Sequence, residues 1–231
     1  MPQTIENIDR FFLYVFNGSD SMFVDELALL LTNGFTWIPL YVALIVLVIK
    51  NNEKFSQVVL LIGAVAFALV LSYGMADIIV KPSVARLRPV CDPSLKGVVT
   101  VVNGYYPSSY SFFSAHAANT VAVALLLSIV VRNGIFSMFM AFWSLINCWT
   151  RLYLGAHYMS DIVVGILWGA VSAFIAYLVY RKLYFKVSPR LHYISSQYTR
   201  SGYSLSDIDM VLNVLVLTIV VVVIMACYLA H

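Results

Sequence analysis

The stretch M-V-L-N-V-L-V-L-T-I-V-V-V-V-I-M-A-C-Y-L-A, Met210 to Ala230, carries no charged side chain and no helix breaker. A run of this length matches the about 20 residues that a helix needs to cross a hydrocarbon core about 30 Å thick. Five further apolar runs occupy Leu27 to Ile49, Val58 to Met75, Ala117 to Val131, Ile135 to Thr150 and Ile162 to Tyr180. The composition agrees: 61% of the 231 residues are hydrophobic, 11% are charged and the mean hydropathy is +0.88. Such a chain lies outside the range of soluble globular domains. Backbone polar groups cannot stay bare in lipid, and these runs lack the alternation of barrel strands, so the expectation is an all-α integral-membrane bundle. Six transmembrane helices are expected.

The chain reads as one domain, residues 1–231, with no internal repeat. No basic stretch leads into an apolar core near the start, so no cleavable signal is expected. Ile5, Ile8, Phe12 and Val15 instead recur at helical spacing beside Glu6, Asp9 and Arg10, which fits either a short N-terminal interfacial helix or a frayed tail. Cys91, Cys148 and Cys227 are too scattered for a disulfide framework. A net charge of +3 without a basic, aromatic-interleaved patch gives no reason to expect nucleic acid as a partner.

Two connections are long, Lys81 to Phe113 and Arg181 to Asp207. Six crossings bring the end of the second span, both ends of the turn between the fourth and fifth, and the start of the third to one side of the membrane. That side collects Lys81, Arg86, Arg88, Ser114, His116, Arg151, His157 and Asp161. Eight Lys and Arg residues fall on the opposite side against six on this one, a bias that sets the motif face outside the cytoplasm.

Three polar segments sit at those helix ends. In K-P-S-V-A-R-L-R-P, Lys81 to Pro89, two prolines discourage a continuous helix, and Lys81 and Arg88 offer fixed cations. In S-F-F-S-A-H-A-A-N, Ser111 to Asn119, a helix beginning near Ser114 or Ala115 aims its free N–H groups at the same place, with His116 in its first turn. In T-R-L-Y-L-G-A-H-Y-M-S-D, Thr150 to Asp161, His157 and Asp161 are four apart, close enough for a carboxylate to hold one imidazole nitrogen and leave the other as a directed lone pair. Each segment also has a structural reading: snorkelling cations, a histidine capping loop backbone, or an ion pair bracing a turn. Jointly those readings weaken, since charge near hydrocarbon costs free energy and marks function.

Phosphoryl transfer suits this inventory, because negative charge spreads over three equatorial oxygens while the attacking and leaving atoms lie in line. Lys81, Arg88, Arg151, Ser114 and helix amides would hold those oxygens, His157 would attack phosphorus, and His116 would protonate the leaving oxygen. A metal set of His116, His157 and Asp161 is the alternative, opposed by three neighbouring cations.

The three segments resemble the three-part signature of the type 2 phosphatidic acid phosphatase (PAP2) superfamily. Lys81, six residues, then Arg88 and Pro89 match its first part in full. Phe113, Ser114, Ala115 and His116 stand where the family has Pro-Ser-Gly-His, and Thr150 precedes Arg151, His157 and Asp161 where the family has serine. The resemblance implies His157 as nucleophile, Asp161 as its orienting partner, and His116 as acid and then base. It implies Lys81, Arg88, Ser114, Ala115 and Arg151 as phosphate holders, with no metal and no cofactor. The expected substrate is a phosphorylated membrane lipid, and the expected setting is a bacterial inner membrane with the site toward the periplasm. A non-catalytic anion or lipid transporter using the same cations is the rival reading. Asp77 is expected to pair with Lys81, Arg86 to stand at the pocket rim, and Tyr105, Tyr106 and Tyr110 to act as interfacial anchors; His192 and His231 show no partners.

Overall fold

A computed structural model of the chain describes residues 3–187 and 196–231. Arg190, His192 and part of the connection expected between Arg181 and Asp207 lie outside these residues. Among the described residues every extended element is helical; Tyr198 and Ser204 form an isolated bridge. The helices are α1 (Gln3–Phe16), α2 (Met22–Thr32), α3 (Ile38–Lys50), α4 (Phe55–Tyr73), α5 (Lys81–Val84), α6 (Ala115–Val131), α7 (Gly134–Tyr153), α8 (Met159–Val187) and α9 (Leu205–Leu229).

Three helical stretches among the described residues are long and apolar enough to cross a membrane: Phe55–Leu95, Met159–Lys186 and Leu205–Leu229. A fourth follows if α2 and the stretch Gly34–Lys50, bent by 69°, count as one span. At 17 residues α6 is shorter, and Ser144, Asn147, Thr150 and Arg151 lower the hydropathy of α7.

The run Leu27 to Ile49 is therefore not one straight helix. Asn33 adopts an extended backbone and caps the turn Gly34–Trp37, while Pro39 starts α3 in its first turn. Carbonyls freed by the bend still find donors: the Thr36 hydroxyl reaches Leu30 O at 2.6 Å and the Trp37 indole N–H reaches Leu31 O at 2.9 Å.

Packing is tightest between α6 and α8. Gly165 and Gly169 lie one turn apart on α8, and a Cβ on either would come within 2.6 Å of Ser114 O or 2.4 Å of Ala118 O. Small residues at this seam let two backbones touch, the usual device of helix pairs in lipid. Leu47, Leu61, Leu126, Phe136, Met140, Trp143, Ile208 and Leu215 fill the core below, with the Trp37 and Trp143 rings edge to face at 6.0 Å.

Polar contacts gather at two ends of the bundle. At one, Lys50 pairs with Asp207, Asn51 donates to Asp207 at 3.1 Å, and the Ser201 hydroxyl reaches Val131 O at 2.7 Å. At the other, α1 docks through Asp9 and Leu13, both buried, while Ile5, Ile8 and Val15 are exposed. Three of the four residues of the apolar stripe predicted for α1 thus face away from the protein, Phe12 is half-buried, and Asp9 faces in.

Candidate active site

The break after α4 has a local cause. Pro82 has no N–H to donate and its ring crowds the carbonyl four residues earlier. The preceding turns, Gly74–Val80, relax into a π-helix in which Lys81 N bonds Ala76 O. Lys81 and Asp77 consequently share one face, with Nζ 2.5 Å from Oδ1. Ala85 then takes a left-handed conformation that ends α5 and sends Arg86 and Arg88 inward.

A cavity of about 330 Å³ opens at this end of the bundle. Lys81, Arg88, Ala115, His116, Arg151 and His157 all line it. These are six of the eight residues singled out from the sequence, contributed by all three of its polar segments. Ser114 and Asp161 stand behind the wall, both fully buried. The Ser114 hydroxyl caps α6 by accepting from Ala117 N at 3.4 Å, and its own N–H donates to Asp161 O at 3.1 Å. The first N–H groups of α6 have no intrahelical acceptor, and the residues carrying them, Ala115 and His116, face the cavity.

His157 lies in the turn between α7 and α8, almost wholly buried. Its Nε2 is 3.2 Å from Arg88 Nη1. A guanidinium only donates, so Nε2 must present its lone pair and the ring proton must sit on Nδ1. Nδ1 stands 3.6 Å from Asp161 Oδ2, facing the carboxylate without a hydrogen bond of its own. Burial, helped by the charges of Arg151 and Arg88 and opposed by Asp161, lowers the His157 pKa to about 3. The imidazole is therefore neutral, with its Nε2 lone pair turned toward the cation-lined cavity and engaged there by Arg88.

The arginines are held rigidly. Arg88 donates to Ala156 O at 3.0 Å, Ser108 O at 2.9 Å and Ser109 O at 3.1 Å, tying the loop before α6 to the turn after α7. Arg151 donates to Tyr105 OH at 3.0 Å and to the Thr32 hydroxyl, and its buried Nε has no protein acceptor. A buried donor without an acceptor fits an anion in the cavity. Among the described residues no group of three His, Cys, Asp or Glu side chains gathers as a metal site.

Several contributors were not assigned these places by sequence reasoning. Arg86 is no rim residue: it donates to Asp161 Oδ1 at 2.6 Å and Asp9 Oδ2 at 2.7 Å, and lies over the Tyr158 ring at 3.7 Å. Ser111 donates to Asp161 Oδ2, which also accepts from Tyr158 N at 3.0 Å. Tyr105 lines the cavity, whereas Tyr106 and Tyr110 do not. The signal for Arg86 was present as a second arginine inside the first segment; nothing in the spacing marks Asp9, Thr32 or Ser111.

Comparison with known proteins adds a lineage. The family model described as the PAP2 superfamily matches residues 57–185. A "Lipid A 4'-phosphatase" of Bacteroides thetaiotaomicron is 33% identical over 186 residues, covering 79% of this chain and 81% of that one. Another protein of that name, from Porphyromonas gingivalis, is 28% identical over 179 residues, covering 76% and 74%. The crystal structure of Aquifex aeolicus LpxE superposes with a TM-score of 0.50 at 22% identity, over 75% of this chain and 94% of that chain, and so shares the fold.

Proposed function

Because the chain belongs to the PAP2 superfamily and is a membrane phosphatase, we propose that it hydrolyses a phosphomonoester on a lipid head group, with a lipid A phosphate as the first candidate. Both curated relatives carry that substrate in their names, and the chain spans most of their length. The observation that carries the chemistry is the Arg88 guanidinium against Nε2 of a buried, neutral His157, inside a cavity lined by Lys81 and Arg151.

In this reading the phosphate enters among Lys81, Arg88, Arg151 and the first amides of α6. Burial and the neighbouring cations disfavour a protonated His116 before the phosphate arrives, and the bound phosphate offsets those cations. His157 Nε2 attacks phosphorus, the P–O ester bond breaks, and His116, protonated beside the phosphate, gives its proton to the departing lipid oxygen. Asp161 stabilises the positive charge that develops on the ring. Water then gives a proton to His116 as its oxygen attacks phosphorus, the P–N bond breaks, and inorganic phosphate leaves. Ser114 supports this by shaping the helix end, and Ala115 presents its backbone to the phosphate.

In this reading six segments cross the membrane: the bent α2–α3 pair, α4, α6, α7, α8 and α9. Residues 1–231 act as one domain in this reading. α1 lies along the interface, and the cavity faces the periplasm from a bacterial inner membrane.

Phosphate release by purified wild type and His157→Ala, measured on lipid A, undecaprenyl pyrophosphate, phosphatidylglycerol phosphate and phosphatidic acid in excess chelator, tests the reading. Turnover of lipid A by wild type alone is expected. Equal release by the variant removes His157 as nucleophile, activity abolished by chelator restores the metal, and no release on any lipid favours a binding or transport protein.

A further inference from the structure

Asp9 sits on the N-terminal helix, 151 residues before Ser160 in sequence, and yet it is 1% exposed. Its carboxylate accepts from Ser160 N at 2.8 Å, from the Ser160 hydroxyl at 2.7 Å and from Arg86 Nη2 at 2.7 Å. The other arm of Arg86 reaches Asp161 Oδ1 at 2.6 Å and the Ser160 hydroxyl at 2.8 Å. One continuous chain of charges therefore runs Asp9, Arg86, Asp161, His157, linking α1 to the proposed nucleophile.

Counting the charges gives this chain a purpose. With Arg86 and Asp161 alone, a buried cation and a buried anion cancel, and little negative charge remains to support a cationic imidazole. Asp9 supplies a second carboxylate, so the trio keeps one net negative charge beside His157. Geometry works the same way: Arg86 stretched between two carboxylates holds Asp161 Oδ1, leaving Oδ2 to Ser111, Tyr158 N and the ring of His157. We propose that Asp9 on α1 is a positioning residue for the reaction, setting the place and charge of Asp161 through Arg86. This rests on His157 being the nucleophile proposed above.

Steady-state kinetics of the full-length protein on the lipid phosphate it turns over, with melting temperature recorded for every variant, test it. Asp9→Asn is expected to lower kcat about 10-fold or more while KM stays within about twofold, and Asp9→Glu to restore most of the rate. In an Arg86→Gln background, adding Asp9→Asn should cost much less than it does alone, because the link through Arg86 is already cut and only the Ser160 contacts remain. A wild-type kcat in Asp9→Asn, or independent additive losses in the double variant, overturns the proposal, since a helix that merely docks would behave so. If Asp9→Asn does not fold, Arg86→Lys decides: it keeps the charge but cannot fork between two carboxylates, so a wild-type kcat there is equally fatal. His157→Ala separates the two levels. Activity in that variant sinks the underlying reading, whereas an inactive His157→Ala beside a fully active Asp9→Asn sinks the role of α1 alone.

Discussion

His157 is the residue at which structure and pH meet. Its folded pKa, about 3, lies below the 6.5 of a free imidazole. As pH falls through 6.5 the unfolded chain takes up a proton that the native protein refuses, so stability is complete above that value and is lost progressively toward pH 3. The melting temperature in detergent is expected to fall between pH 7 and pH 5, and His157→Asn to flatten that slope; an unchanged slope in the variant would place the proton elsewhere. The same shift keeps His157, the proposed nucleophile, neutral across physiological pH, so no acid-side loss of kcat/KM at an ordinary imidazole value is expected from it. Arg151 supplies a second expectation. Its planar head bonds Tyr105 and Thr32 with Nε left over, a pattern that an ammonium cannot reproduce. Arg151→Lys should weaken inhibition by inorganic phosphate about 10-fold or more, read as a rise in Ki.

Among the helices, α6 and α8 set the site's precision. Ser114 at the start of α6 touches Asp161 in the first turn of α8, and the Gly165 and Gly169 seam fixes how far apart those turns lie. Gly169→Ala drives a methyl into the Ala118 backbone and is expected to cost about 1–3 kcal/mol of stability, measured by thermal or denaturant unfolding in detergent. Gly63→Ala on α4, where a Cβ meets nothing within 4 Å, is the control and should be neutral or slightly stabilising. At this scale the sequence was partly legible. Run lengths gave the helices, and the fixed spacings from Lys81 to Arg88 and from Arg151 to Asp161 gave the residues that meet at the cavity. The 69° bend at Asn33 and the π-turns before Pro82 were not read out, because a long apolar run outweighs the few residues that mark each break: Asn33, Gly34 and Pro39 at the first, Pro82 at the second. The burial of Asp9 was equally hidden: helical spacing shows which residues of α1 share a face, but not which face turns toward α8.

For the molecule as a whole, orientation is open to direct measurement. Cys91 is exposed in the loop leading from Arg88, at the cavity's end of the bundle, whereas Cys148 is buried. With Cys227 replaced by alanine, a membrane-impermeant maleimide should label Cys91 in whole cells whose outer membrane has been permeabilised. Labelling only after the inner membrane is broken would turn the cavity toward the cytoplasm. The cavity's wall draws on the segment after α4, the loop from Tyr105 to Ser109, α6, the end of α7 and the turn into α8, with α1 bracing it from behind. No single one of these segments supplies the whole cavity wall. A polypeptide caught before the turn into α8 has entered therefore lacks a complete cavity, and turnover by the proposed chemistry would report that this turn has reached its berth.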